Sequence, residues 1–217
     1  MAQPPLARRT VSAATLLLPA TVLLAGAATL GIEMLASRLL APFFGTSQPI
    51  WAAVIGMTLL YLALGYHFGG RLADRRPHAG LLYGLLSIAG LATAIIPLIA
   101  RPILLLAQGA LAHLAVGGFL GALVAVLALF AVPVVLLAMI SPFAVRLQLR
   151  FGEGGMAAAG ATVGTLSALS TIGSIAGTFL SALVLIPAIG TTRTTLLYAL
   201  VLALLGLAGR RDRWALA

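Results

Sequence analysis

One acidic side chain lies within a long apolar stretch of this sequence. Glu33 is the only carboxylate inside or at the end of such a stretch, and an unpaired carboxylate in lipid is energetically costly. We therefore expect it either in a site for a polar solute or a proton, or in an ion pair that holds helices together. Arg38 lies five residues away, a poor spacing for a pair on one helix face, so Arg193 on another helix is at least as good a partner. Together with Ser170 and Ser174, these residues form the candidate intramembrane polar site.

A second polar group, Gly70-Arg71-Leu72-Ala73-Asp74-Arg75, is expected to form a loop between two apolar stretches. It sets one carboxylate among guanidinium groups, so Asp74 should either cap the next helix or bind Arg146 across the same surface. Either role is one of gating or bracing, and a plain solvated loop is the alternative. The segment resembles the sequence Gly-x-Leu-(Ala/Gly)-Asp-Arg that links the second and third helices of major facilitator transporters on the cytoplasmic side.

Small residues are concentrated in the stretch that follows residue 159. Gly160, Gly164, Gly173 and Gly177 lie there among several serines, and the last two glycines are four residues apart. Such spacing lets helix backbones approach closely, and hydroxyl groups can form hydrogen bonds across the contact. We therefore predict close helix packing at these four glycines, with a lining for a polar ligand or a dimer contact as the alternative.

Metal and cofactor sites are not expected. His67, His78 and His113 share no metal-ligand spacing, and the chain contains no cysteine. We find no glycine-rich nucleotide loop after a strand, no Ser-His-Asp set and no pair of carboxylates. We therefore predict no metal, no cofactor and no catalytic residue.

The composition excludes a soluble protein. Hydrophobic residues make up 62% of the 217 residues and charged residues only 8%, whereas soluble domains are about 25% charged. Because about 20 apolar residues are needed for each transmembrane helix, six helices would take up roughly 120 to 150 residues and leave short loops. We therefore predict an all-α membrane helix bundle, a single transmembrane domain over residues 1–217.

Hydropathy and breaks in the sequence predict where the six spans lie. The first runs from about residue 11 to beyond residue 32, and Pro133 should kink the fourth. Residues 103–116 form an apolar stretch too short for a comfortable span, so we expect a short interfacial or re-entrant helix, with a seventh span as the alternative. The other five spans are predicted at about 49–70, 81–100, 119–140, 161–189 and 194–208.

Positive charge is distributed unevenly between the loops that six spans would create. Ten arginines would lie on the side of the N-terminus, and three, Arg38, Arg101 and Arg193, on the other side. Since cytoplasmic loops carry the excess of Lys and Arg, we predict that both termini are cytoplasmic. Membrane orientation thereby accounts for the net charge of +9, and we expect no nucleic-acid partner.

Six stretches of the sequence, taken in order, form a pattern of their own. They are EMLASRLLAPFFGT at 33–46, WAAVIG at 51–56, LGYHFGGRLADR at 64–75, SPFAVRL at 141–147, STIGSIAGTFL at 170–180 and IGT at 189–191. In this order they resemble the membrane region of bacterial spermidine-synthase-like proteins, which are also described as fused major-facilitator/spermidine synthases. The resemblance implies a bundle like half of a major facilitator transporter, located in the bacterial cytoplasmic (inner) membrane.

In that family the membrane region precedes a cytoplasmic aminopropyltransferase domain, which uses decarboxylated S-adenosylmethionine and a putrescine-type amine. The present sequence ends at Ala217, so we expect that domain to be absent and the chain to be no enzyme by itself. The resemblance then implies a membrane module that anchors or serves a separately encoded aminopropyltransferase-like partner. That partner would dock where Arg71, Arg75, Arg146 and Arg150 gather. The alternatives are a transporter of a small solute, such as a polyamine, acting as a homodimer, and a scaffold subunit of a larger membrane complex.

Overall fold

A computed structural model of the protein describes residues 13–111, 113–114, 116–151 and 159–211. Every regular element in these ranges is helical, which confirms the predicted all-α class. The elements in chain order are α1 (Ala13–Phe44), α2 (Gln48–Arg75), α3 (Ala79–Leu111), α4 (Gly117–Phe151), α5 (Ala159–Phe179), a π-helical segment (Leu180–Leu185) and α6 (Ile186–Arg211).

The helices are long and apolar enough for a multi-pass membrane protein. Five stretches in the described ranges meet this criterion: Leu17–Phe44, Gln48–Arg75, Ala79–Leu111, Gly117–Arg150 and Ala159–Arg210. Leucine side chains point outward along them, and Leu98, for example, is 77% exposed. An outer surface of this kind is stable only when lipid, rather than water, surrounds it.

The last of these stretches, 52 residues long, folds back on itself. The hydroxyl oxygens of Ser181 and Tyr198 lie 2.6 Å apart, although 17 residues separate them in the sequence. A straight helix would hold these residues about 26 Å apart. The chain reverses at Gly190, whose φ of 81° and ψ of 166° lie outside the helical region.

Contacts between helices define two ends of the bundle. Asp74 at the end of α2 meets Arg146 near the end of α4, and Gly84 near the start of α3 meets Arg210 near the end of α6. At the opposite end, the Gln108 side chain of α3 donates a hydrogen bond to the carbonyl oxygen of Phe43 on α1. We call the first end the arginine-rich end because exposed guanidinium groups gather there: Arg71, Arg75, Arg76, Arg146, Arg150 and Arg210.

A buried apolar core joins the helices. The most extensive packing pairs α2 with α4, α3 with both α4 and α6, and α1 with α5. Large side chains fill the core, and the largest fully buried ones include Tyr61, Leu35, Leu86, Ile96 and Phe143.

The prediction of a separate short helix over residues 103–116 is wrong, because α3 continues through Pro102 to Leu111. A proline inside a helix removes one backbone hydrogen bond. Here Leu104 and Ala107, on the far side of the proline, are buried against the bundle, 1% and 6% exposed. Their packing stabilises the continued helix and offsets the lost bond.

The predicted loop at Gly70–Arg75 is also wrong in its conformation, since these residues form the last turns of α2. Ala73 is completely buried, so the apolar face of α2 extends to this point and favours continued helix. Arg146 and Arg150, which the predicted spans 119–140 and 161–189 place in a loop, are likewise helical, on α4. Three of the ten arginines predicted on the side of the N-terminus, Arg8, Arg9 and Arg213, lie outside the described residues.

Candidate functional site

A cavity of about 250 Å³ opens between α1, α2, α4 and α5, and we call it the hydroxyl cavity. Its wall combines apolar side chains such as Val22 and Leu137 with hydroxyl groups, and no charged side chain of the described residues lines it. The hydroxyl-bearing residues are Thr29, Tyr66, Ser141, Ser170, Thr171 and Ser174.

Two of the glycines predicted for helix packing bring α5 onto α1 beside this cavity. A Cβ atom added at Gly173 would overlap the carbonyl oxygen of Leu23, and one at Gly177 would overlap that of Ala27. The Ser174 hydroxyl donates to the Gly26 carbonyl oxygen at 3.1 Å across the same contact. This is the close backbone approach that small residues allow.

The other two predicted packing glycines lie in a different environment. A Cβ atom added at Gly160 or Gly164 would have no described atom within 4 Å. Both residues are exposed on the part of α5 that precedes its contact with α1. Within the described ranges, a side chain added at either position would meet no neighbouring helix.

The hydroxyl groups of the cavity fall into two sets. Thr29 donates to the Ala25 carbonyl oxygen at 2.8 Å, and Thr171 donates to that of Ser167 at 3.0 Å. The side chains of Tyr66, Ser141 and Ser170 form no hydrogen bond with any residue that the structure describes. Polar groups in an apolar environment are costly without a partner, so these three are free to bind a ligand or water.

Glu33 lies on the same face of α1 as the hydroxyl cavity. It comes four residues after Thr29, which lines this cavity, and four before Ser37, which lines a second one. Residues four apart share a helix face, so Glu33 stands between the two cavities. It is only half-buried and makes no ion pair with Arg38, Arg193 or any other described residue.

The candidate polar site is therefore divided in the structure. Ser170 and Ser174 line the hydroxyl cavity, and Arg38 lines the second cavity. Glu33 and Arg193 line neither. We call the second cavity, of about 330 Å³, the Arg38 cavity; it lies between the end of α1, the start of α2, the π-helical segment and the start of α6.

Of the two roles expected for Asp74, the structure contains the bond to Arg146. Arg146 Nε lies 3.0 Å from Asp74 Oδ1, and the two side chains are 45% and 66% exposed, respectively. Exposed ion pairs contribute at most about 1 kcal/mol to stability. The pair therefore orients α2 and α4 at the arginine-rich end and stabilises the bundle only weakly.

Sequence reasoning missed four hydroxyl groups of the cavity, those of Thr29, Tyr66, Ser141 and Thr171. Thr29 could have been found, because it precedes Glu33 by one helical turn. Tyr66 and Ser141 lie on α2 and α4, far apart in sequence, and the pairing of these two helices brings them to one cavity.

No protein-family model, no curated protein and no solved structure matches this chain. The features that bear on function are therefore the geometry of the two cavities and the charge at the two ends of the bundle.

Proposed function

We propose that the chain is a membrane module that binds a small polar solute in the hydroxyl cavity. The observation that carries this proposal is the set of three hydroxyl groups, on Tyr66, Ser141 and Ser170, that line one cavity without a described partner. In a lipid-surrounded bundle such groups are costly unless water or a solute satisfies them. A protein that served only as a scaffold would gain stability from filling this space with apolar side chains.

The proposed module has six spans, the last two formed by the 52-residue stretch. The reversal at Gly190 supports this, because it leaves limbs of 31 residues before it and 21 after it. At 1.5 Å per residue the shorter limb is about 31 Å long and the longer one about 46 Å, so each is long enough to cross a hydrocarbon core of about 30 Å. By the positive-inside rule the arginine-rich end would be cytoplasmic. Six such helices agree with the half-transporter that the family resemblance implies.

A small amine is the solute class that the surroundings of the cavity favour. Amine N–H groups can donate to the hydroxyl oxygens, and the Tyr66 ring can accept a cation on its face. The carboxylate of Glu33 stands one turn beyond Thr29 on the same helix face and would attract positive charge. A polyamine of the kind that the resemblance suggests has this chemistry.

The first test measures binding of putrescine and spermidine to the protein in detergent micelles by titration calorimetry. We expect the double variant Ser141→Ala/Ser170→Ala to bind at least about a hundredfold more weakly, since two hydrogen bonds to a charged ammonium group, of about 1.5–3 kcal/mol each, are lost. Ser167→Ala removes the same group from an exposed position of α5 outside the cavity and should leave affinity unchanged.

Two outcomes would count against this proposal. Equal affinity of the wild type and the double variant would remove the hydroxyl cavity as the site, and absence of binding to the wild type would favour the scaffold. Uptake of labelled amine into liposomes would then separate a carrier from a binding module. Uptake that Glu33→Gln leaves unchanged would remove Glu33 from the site.

The arginine-rich end supports a second candidate function, the anchoring of a soluble aminopropyltransferase-like protein. Among the described residues, six exposed arginines and the single carboxylate of Asp74 lie at this end, a surface suited to an acidic partner. We expect an aminopropyltransferase encoded beside this gene to co-purify with the wild type. The variant Arg71→Gln/Arg75→Gln should release it, whereas Arg101→Gln, at the opposite end, should not. If both variants retained the aminopropyltransferase, this docking surface would be contradicted.

A further inference from the structure

The Arg38 cavity has a polar rim and an apolar interior. Arg38, Thr46 and Trp51 lie towards the end of the bundle opposite the arginine-rich end. Deeper along α1 and α2, the wall is formed by Met34 and Val54. The π-helical segment and the start of α6 contribute apolar groups, so the remaining wall, as far as described residues form it, carries no charge.

Arg38 has no anion to neutralise it within the described part of the chain. That part contains two carboxylates: Asp74 bonds Arg146 at the other end of the bundle, and Glu33 makes no ion pair. The Thr46 hydroxyl likewise has no hydrogen-bond partner among the described residues. A guanidinium group, a hydroxyl group and the indole N–H of Trp51 therefore stand at one cavity mouth as donors.

We infer that the Arg38 cavity binds the phosphate group of an anionic phospholipid, with an acyl chain against Met34 and Val54. A guanidinium group can donate two parallel hydrogen bonds to phosphate oxygens. Tryptophan prefers the depth of the lipid headgroups, which is the depth that a bound phosphate needs. A headgroup with its own cation, such as choline, would bring positive charge towards Arg38 and bind less well.

The apolar interior favours a lipid over free phosphate. An inorganic ion would leave about 330 Å³ of mostly apolar space without an occupant, whereas an acyl chain fills such a space. The site is separate from the hydroxyl cavity, and no residue lines both. Its occupation by lipid therefore does not depend on the proposed solute.

The fluorescence of Trp51, at the mouth of the Arg38 cavity, provides a test of lipid binding. The chain has two tryptophans, so Trp214→Phe leaves Trp51 as the only one. We then measure the fluorescence of Trp51 in bilayers that contain increasing amounts of a brominated lipid. Brominated phosphatidylglycerol should quench half of this fluorescence at a mole fraction at least tenfold lower than brominated phosphatidylcholine does. Arg38→Gln should abolish this preference, because the charge-assisted bonds to phosphate are lost.

Arg101→Gln is the matched control, since Arg101 is an exposed arginine outside both cavities. It should keep the preference for phosphatidylglycerol. In a second variant, Ala182→Trp, the new side chain should fill the Arg38 cavity and exclude the lipid. Because the added tryptophan also fluoresces, native mass spectrometry is used to measure the lipid that this variant retains. Size-exclusion chromatography establishes that each variant is folded.

Three outcomes would overturn the inference. Equal quenching by the two lipids would mean that the cavity does not select an anionic phosphate. If Arg38→Gln and Arg101→Gln lost the preference for phosphatidylglycerol to the same extent, the preference would reflect a general attraction of arginines to anionic headgroups. If millimolar inorganic phosphate relieved the quenching and the wild type retained no lipid, the hydrogen-bond donors at the mouth of the Arg38 cavity would bind a free phosphate ion.

Discussion

Replacing Gly173 by valine is expected to destabilise the protein by about 3 kcal/mol, the upper end of the usual cost of overpacking. A side chain at this position would overlap the Leu23 carbonyl oxygen, a backbone atom that cannot turn away as a flexible side chain can. The two helices must therefore separate, and the Ser174 bond to Gly26 must lengthen or break. Unfolding of the purified protein by titration with SDS in mixed micelles measures the loss.

Gly164→Val is the matched control for this prediction. It makes the same change on the same helix, at a position where an added Cβ atom meets no described atom within 4 Å. We expect the free energy of unfolding to change by less than about 1 kcal/mol, since only helix propensity is affected. A control as destabilising as Gly173→Val would show that the α1 contact is not the reason for the loss.

The second large effect is expected at Gly190, where alanine should cost about 1–3 kcal/mol. The backbone there has φ 81° and ψ 166°, a region that is essentially restricted to glycine. No described atom lies within 4 Å of an added Cβ, so steric overlap with other residues does not contribute. The cost arises from the backbone alone.

Strain at Gly190 should spread to both limbs of the hairpin. The Ser181–Tyr198 hydrogen bond and the contact between α3 and α6 depend on the reversal of the chain. We expect the SDS midpoint to fall and hydrogen exchange in α6 to accelerate. Gly56→Ala, in the exposed middle of α2, is the control; it should be neutral or stabilise the protein by up to about 1 kcal/mol, because alanine is the better helix former. A Gly190→Ala protein as stable as the wild type would contradict a backbone conformation restricted to glycine at this position.

These two glycines also bear on the proposed sites. Gly173 lies on α5 between Ser170 and Ser174, which line the hydroxyl cavity, so a shifted α5 should weaken solute binding. Gly190 follows the π-helical segment and the start of α6, which form part of the wall of the Arg38 cavity. The Gly190→Ala variant should therefore lose preferential quenching of Trp51 and retain solute affinity. This difference would separate the lipid inference from the proposed function.

Much of the membrane architecture is determined by the sequence itself. Hydropathy is a local property, so the long apolar runs identify helices whatever their neighbours are. The separation of the arginines between two ends also follows from their position relative to those runs: Arg75 and Arg146 lie at one end and Arg38 at the other. Gly173 and Gly177 could be assigned to close packing because their spacing places them on one helix face.

The tertiary structure alone decided where the helices continue and which side chains share a cavity. Pro102 and the polar run at Gly70–Arg75 favour breaks when read locally, yet burial of Leu104 and Ala73 keeps both segments helical. Likewise, Ser141 and Ser170 meet only because α4 and α5 each pack beside α1. The physical reason is that helix formation is favoured residue by residue, whereas the position of a side chain in a bundle depends on contacts between distant segments.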